Sequence, residues 1–378
     1  MFGFNAAYFY IIAFQITFIK FIKKVYFTTK YYNNSLKSKV PSQVFFSPNP
    51  YHLSIISSYN KKTFKINEIN PNEFWLEEKN KNISEHHKFL WLNLIDRKID
   101  GRSIQKIIYL WMLKYSKFKK KVWETSTLSS RMISWMLNID IIINNGTFDF
   151  KKNFFQNIIY QCNHLKKNLR FEKDHLKMIQ TITALILSGI VFKEYEKNYD
   201  DSLKELEKFI KSFFDNDGFP LSRNPNDLIF FTKYLLLSFE IIKEAQKPMP
   251  EFLGEMIKKN LTCIKFIKTP AEKSPLFNGG SDNLLNDFDK YLENFKVKKN
   301  KKDIIGGIFS AKSKSQVIFF DVGNPPTKNF SKNYQSGPLS FEYFLDGKKI
   351  ITNCGFGNNI SSKAELISRL TASQTTLT

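Results

Sequence analysis

The sequence predicts a mainly α chain, an N-terminal α/α toroid of helical hairpins followed by the first strands of a β-sandwich domain. Apolar residues recur at three-and-four spacing almost without relief from about residue 84 to residue 293. Beyond residue 303 the period changes to short β-branched or aromatic runs between Gly, Pro and Asn turns. At 378 residues the chain exceeds one ordinary core, so two domains are expected. The expected divisions are an apolar helix and irregular segment over 1–83, the toroid over 84–296, a basic linker over 297–303 and a partial β-sandwich over 304–378. Hydrophobic residues make up 42% and aromatic residues 16%, enough apolar material to exclude a disordered chain.

The first nineteen residues carry no charge, and their most apolar part, Ala6 to Ile19, is interrupted by Gln15 and Thr17. A spanning helix needs roughly twenty apolar residues. Lys20, Lys23 and Lys24 follow this run, whereas a signal peptide places its positive charge before it. The segment therefore reads as a buried or interfacial helix, with peripheral membrane contact as one role it could serve.

Helical patterning follows over Phe89–Ile95, Ile104–Leu113, Leu128–Ile143, Leu176–Phe192, Leu203–Phe214, Leu228–Ile242 and Phe252–Ile267. Asn145-Gly146, Asp217-Gly218 and Lys247-Pro248 are stop or turn signals between them. Such repeated hairpins suggest helices stacked around a centre, and no residue motif of a TPR or HEAT array is present. Lys298 to Lys302 is a compact basic run of the kind that forms a solvated linker. Strands are expected over Ile304–Ser310, Gln316–Asp321, Leu339–Phe344 and Lys349–Thr352, with Asp346-Gly347 as a hairpin turn. The final Thr375-Thr376-Leu377-Thr378 reads as the middle of a strand, so the β domain is expected to be unfinished.

Lys and Arg number 57 against 35 Asp and Glu, a formal balance of +22 that favours a polyanionic partner. Cys162, Cys263 and Cys354 are widely spaced, supporting neither a disulfide framework nor a metal site. The sequence lacks a Gly-rich phosphate loop, a GxSxG elbow and an HExxH motif. Basic residues are dispersed instead of forming a stripe with interleaved aromatics, which argues against nucleic acid. The five histidines, His52, His86, His87, His164 and His175, all precede the β region. His86-His87 reads as a surface pair at a helix start. Asp174-His175 opens a long apolar helix, where Asp174 suits an N-cap and His175 could face a cleft. Asp217 to Pro225 is a turn that presents Arg223 and Asn224 at the next helix entrance.

These pieces together resemble the heparinase II/III-like polysaccharide lyases, in particular a bacterial group with a helical toroid followed by a β-sandwich. The resemblance runs from about Phe89 to the end. It is carried by Phe89-Leu90-Trp91-Leu92, Ser130-Arg131-Met132-Ile133-Ser134-Trp135, Asp174-His175-Leu176 leading into Ala184-Leu185-Ile186-Leu187-Ser188-Gly189, and Ser222-Arg223-Asn224-Pro225. In the β region it continues through Asp321-Val322-Gly323, Gly337-Pro338-Leu339-Ser340-Phe341-Glu342, Asn353-Cys354-Gly355 and Arg369-Leu370-Thr371-Ala372.

The resemblance implies β-elimination on an acidic, uronate-containing polysaccharide of the cell envelope or periplasm, with no cofactor. It implies catalytic roles for His175 and Asn224, and substrate contacts from Asp174, Arg131 and Arg223, the arginines pairing with carboxylate or sulfate. The chain departs from the family pattern at Asp227, where a tyrosine is expected, and at Gln335 and Gln374, where histidines are expected. Asn353 stands where metal-binding members carry aspartate, so no metal site is expected. The same departures support a rival reading, a glycan-binding protein that has lost the chemistry.

Overall fold

The computed structural model describes residues 2–57, 70–76, 83–95, 101–298 and 302–376. The middle of the basic run at 298–302 and the last two residues of the threonine-rich end lie outside them. The chain divides into two compact units, Met1–Ser202 and Leu203–Thr378. This division follows contacts and falls within one helix, whereas the sequence boundaries follow changes of period.

Unit 1 opens with α1 (Phe2–Thr28) and α2 (Lys30–Ser35), then short turns α3 (Pro71–Phe74) and α4 (Ile83–His86). The helices α5 (Arg102–Tyr115), α6 (Thr125–Leu137), α7 (Ile139–Ile143), α8 (Phe148–Leu169) and α9 (His175–Val191) follow. Every residue of α6 from Thr127 to Leu137 is buried, and so is every residue of α9 from Ile179 to Val191. A helix buried on all sides must sit at the centre of its unit, and α6 and α9 pack on each other with α8 against both. Gly189 of α9 is needed for this packing, because a Cβ there would meet the backbone nitrogen and Cβ of Tyr199. Toward the C-terminal end of α6, Trp75, Phe89, Trp91, Trp111 and Trp135 form a contiguous aromatic core.

One sequence expectation fails here. His86 ends α4 instead of opening a helix, and His87, in the turn after it, is buried at 4% exposure. Its ring stacks on Trp75 at 5.2 Å, and its Nδ1 accepts the indole N–H of Trp111 at 3.0 Å. The stretch Phe89–Ile95 is a 3-10 helix over Leu90–Leu94, entered through a left-handed Phe89.

The helix α10 (Glu196–Phe213) crosses the division between the units. Unit 2 contains α11 (Pro225–Glu244), α12 (Glu251–Ile267), α13 (Asp289–Asn294) and α14 (Ser362–Ser368). Its strands are β1 (Ile304–Ile305), β2 (Ile308–Lys312), β3 (Gln316–Asp321), β4 (Phe341–Leu345) and β5 (Lys348–Ile351). They form one antiparallel sheet in the order β1-β2-β3-β4-β5. The expected single strand Ile304–Ser310 is a hairpin, because Gly306 and Gly307 both take positive φ and reverse the chain. Asp346-Gly347 turns β4 into β5 as the sequence indicates, again with both residues at positive φ.

Alternation along β3 buries Val317, Phe319 and Asp321, and alternation along β4 buries Glu342 and Phe344. Register pairs Val317 with Phe344 and Phe319 with Glu342. Two carboxylates thus lie on the buried face of the sheet, beside Phe319, Phe344 and the buried Ser310. At the C-terminal end Thr375 is in a bend, where its backbone N–H and its hydroxyl both bond the side chain of Asn353.

Candidate functional site

In unit 1, Asp174 caps α9, its carboxylate accepting the N–H of Leu176 at 3.1 Å. His175 occupies the first helical position and is half-buried. A helix start of this kind favours negative charge, which the Asp174 carboxylate supplies.

Arg131, expected to contact substrate, is instead 0% exposed at the centre of unit 1. Its Nε donates to Gln161 at 2.8 Å, and its Nη1 donates to the carbonyls of His87 and Val122 at 3.0 and 3.1 Å. The guanidinium lies 4.4 Å from the Trp111 ring, a cation–π contact in a desolvated setting. Burial lowers the pKa of Arg131 well below its ordinary value. A group so enclosed braces α6 and cannot meet a polysaccharide at the surface. His164 lies in the same unit at 5% exposure, with Nδ1 2.7 Å from the Tyr32 hydroxyl and Trp123 and Phe27 around its ring. Burial, then the charge of Arg131, lowers the pKa of both His87 and His164 to about 3.

In unit 2, Arg223 has a left-handed backbone and is 8% exposed. Its Nε donates to Gly306 O at 3.1 Å, Nη1 to Gly323 O and Asn324 O at 2.9 Å each, and Nη2 to Gly307 O at 3.0 Å and to the Asp321 carboxylate. An arginine has five N–H donors, and all are engaged. The resemblance implies that Arg223 binds a substrate carboxylate; in the structure the carboxylate it binds is Asp321. The close approach requires glycine, since a Cβ on Gly307 would enter the guanidinium.

Asn224 caps α11 by accepting the N–H of Asn226 at 2.9 Å and is 1% exposed. Its amide nitrogen is 3.5 Å from Asp227, whose other carboxylate oxygen accepts the Ser222 hydroxyl at 2.6 Å. Asn226 ties the following loop, donating to Gly279 O at 2.7 Å and accepting from Asn283 at 2.6 Å. Asn278 donates to Asp321 at 3.1 Å. The turn 222–226, the loop 278–283 and the start of the sheet therefore form one polar cluster. Asn226 and Asn278 had no signal beyond their residue type, whereas Asp321 was visible through the alternation of β3.

Gln335 completes the cluster, accepting Gly279 N–H at 3.0 Å and donating to Gly355 O at 2.8 Å and Ser368 O at 2.9 Å. Glu342, 0% exposed, accepts from the Thr352 hydroxyl at 2.8 Å and Asn353 N–H at 3.3 Å. Burial raises its pKa.

Residues 305–378 match the family described as heparinase II/III-like, C-terminal. That match covers the C-terminal 74 of the 378 residues. Among solved structures it is similar to a heparinase III at 12% identity and TM-score 0.63, over 76% of this chain and 53% of that one. It is also similar to a mutant of the heparan sulfate lyase HepC from Pedobacter heparinus, at 14% identity and TM-score 0.61, over 85% of this chain and 57% of that one. A further heparinase III is 15% identical with TM-score 0.62, over 84% and 58% of the two chains. At such identities the likeness establishes a heparinase-like fold, and this chain spans a little over half the length of those structures. No curated protein sequence matches it.

Within the matched region 305–378, the amide at 335 is the notable departure from the pattern that the resemblance implies. Gln335 satisfies three backbone groups from three other segments, at Gly279, Gly355 and Ser368, and Gln374 donates to Ser368 O at 2.8 Å. Asn353 accepts from Thr375 through its side-chain oxygen. Neutral amides engaged in this way do not fit a zinc site, and the described residues contain no group of three or more His, Cys, Asp or Glu placed to hold a metal.

Proposed function

We propose that the chain acts on an acidic, uronate-containing polysaccharide by β-elimination. The observation that carries this reading is the heparinase-like helical region and sheet, in heparinase order, in a chain with a formal charge of +22. In that reaction a base removes the proton at C5 of the uronate, the C4–O bond breaks, and the leaving sugar oxygen is protonated. The carboxylate beside C5 must be neutralised or hydrogen-bonded so that its α-proton becomes acidic.

His175 is the proposed base, because it is a half-buried imidazole at a helix start that favours an anion. Asp174 fixes that helix start. Asn224, 1% exposed, is proposed to act by position as the cap of α11. Arg131 and Arg223 act by position: one braces α6, and the other holds the glycine turns of the sheet against residue 224. Incubation with a panel of uronate polysaccharides, followed at the absorbance of the unsaturated uronate product, tests the proposal. A rise on at least one polysaccharide supports it.

A second reading is a glycan-binding protein without lyase activity. It is favoured by Gln335, buried and committed to three backbone partners where the family pattern calls for histidine. Binding to the same polysaccharides with no change in absorbance on any of them supports this reading.

A further inference from the structure

Within unit 1, α1 leaves apolar side chains in water on all sides. Tyr10, Phe14, Phe18 and Phe21 are exposed along one side, and Ile16 and Ile19 are exposed on the other. A helix apolar all round belongs in a core or a lipid phase, not in water. Its C-terminal end is the part held by protein: Phe27 packs on Tyr32, Phe118 and His164 at 4.8, 5.0 and 5.1 Å. The polar Thr17 is already satisfied, its hydroxyl donating to Ala13 O at 2.8 Å, which lowers the cost of removing it from water.

Charge selects the occupant of this surface. The helix contains no Asp or Glu, and Lys20, Lys23 and Lys24 cluster where the apolar run ends. An apolar body with a cationic collar matches hydrocarbon beneath anionic headgroups. From Tyr8 to Ile19 the helix rises about 18 Å, against a hydrocarbon core of about 30 Å. No helix among the described residues is long and apolar enough to cross a membrane.

We propose that α1 docks the chain on an anionic lipid bilayer, with its apolar turns inserted in one leaflet and Lys20, Lys23 and Lys24 at the phosphate headgroups. The inference stands apart from the glycan reading and requires no glycan to test it.

The test is flotation of the full chain with phosphatidylcholine vesicles, with and without phosphatidylglycerol. The chain is expected to float with the phosphatidylglycerol vesicles, and added salt should weaken that binding without abolishing it, because insertion of apolar groups is not screened. The Phe14→Asp/Phe18→Asp variant should bind at least about tenfold more weakly at unchanged helical content, given the cost of carrying charge into hydrocarbon. Lys20→Glu/Lys23→Glu/Lys24→Glu should lose the preference for phosphatidylglycerol. Equal flotation of the apolar variant and the parent overturns the proposal. So does a parent chain that stays with neither vesicle and sediments as an oligomer that Phe14→Asp/Phe18→Asp dissociates, since α1 would then be covered by a second copy.

Discussion

Arg223 and Asp321 form a buried ion pair within the second unit, and the arginine donates its remaining N–H groups to four backbone carbonyls beside that carboxylate. Removing one partner of such a pair leaves an uncompensated buried charge. Arg223→Ala is therefore expected to cost about 3–5 kcal/mol, and Asp321→Ala alone a similar amount. The double variant should cost less than the sum of the two, because neither charge is then stranded. Urea titrations of the three variants measure the coupling, and simple additivity would show that the pair is not the unit of stability.

Gly307 is tied to the same arginine. Its φ of +73° is strained for any side chain, and a Cβ would occupy the place of the guanidinium. Gly307→Ala should destabilise the sheet by roughly 2 kcal/mol or more. In Arg223→Ala the same substitution should cost less, since only the backbone strain remains. Thermal melts of the single and double variants check this.

His87 and His164 give the first unit a defined response to acid. Both are held neutral, with pKa values lowered by burial to about 3 from an ordinary 6.5. Between those values the unfolded chain binds protons that the folded chain refuses, so stability is fully present above about pH 6.5 and falls as pH drops toward 3. The slope in the middle of that window is expected to be about 1.4 kcal/mol per pH unit for each histidine. Protonation of His87 also removes the acceptor for the Trp111 indole N–H. His87→Gln should flatten the acid limb of the stability profile measured by tryptophan fluorescence, and an unchanged slope would remove His87 from the account.

Gln335 is predicted to be structural. Gln335→Ala strands Gly279 N–H and removes the amide donor to Gly355 O, while Ser368 O keeps Gln374, at a cost of about 2 kcal/mol. Gln335→His restores the residue type of the family pattern but cannot reproduce all three bonds, so it should destabilise the unit without raising activity above that of the parent. Denaturant melts together with the elimination assay separate the two effects.

Much of the fold was legible because burial enforces period. The buried helices α9, α11 and α12 and the strand Gln316–Asp321 lie where apolar spacing places them, and Asp346-Gly347 turns the chain as its residue types require. The site was less legible, for a physical reason. Arg131, Arg223 and His87 are polar residues that a linear pattern assigns to solvent, and only the assembled core reveals the carbonyls, the carboxylate and the indoles that enclose them. The caps at Asp174 and Asn224 could be anticipated, because a capping residue bonds a backbone N–H two positions along the chain. The ties made by Asn226 and Asn278 span more than forty residues and leave no local trace.

The claim of β-elimination rests most directly on His175, whose replacement leaves the cap at Asp174 in place. The decisive measurement compares the parent chain and His175→Ala on the best uronate polysaccharide, with product absorbance and glycan binding recorded in parallel. The account predicts a rise for the parent that the variant loses by at least about a hundredfold, as expected for loss of a general base, while binding and melting temperature stay close to those of the parent. Equal rates in the two proteins, or no rise from a parent that binds the glycan, would contradict it.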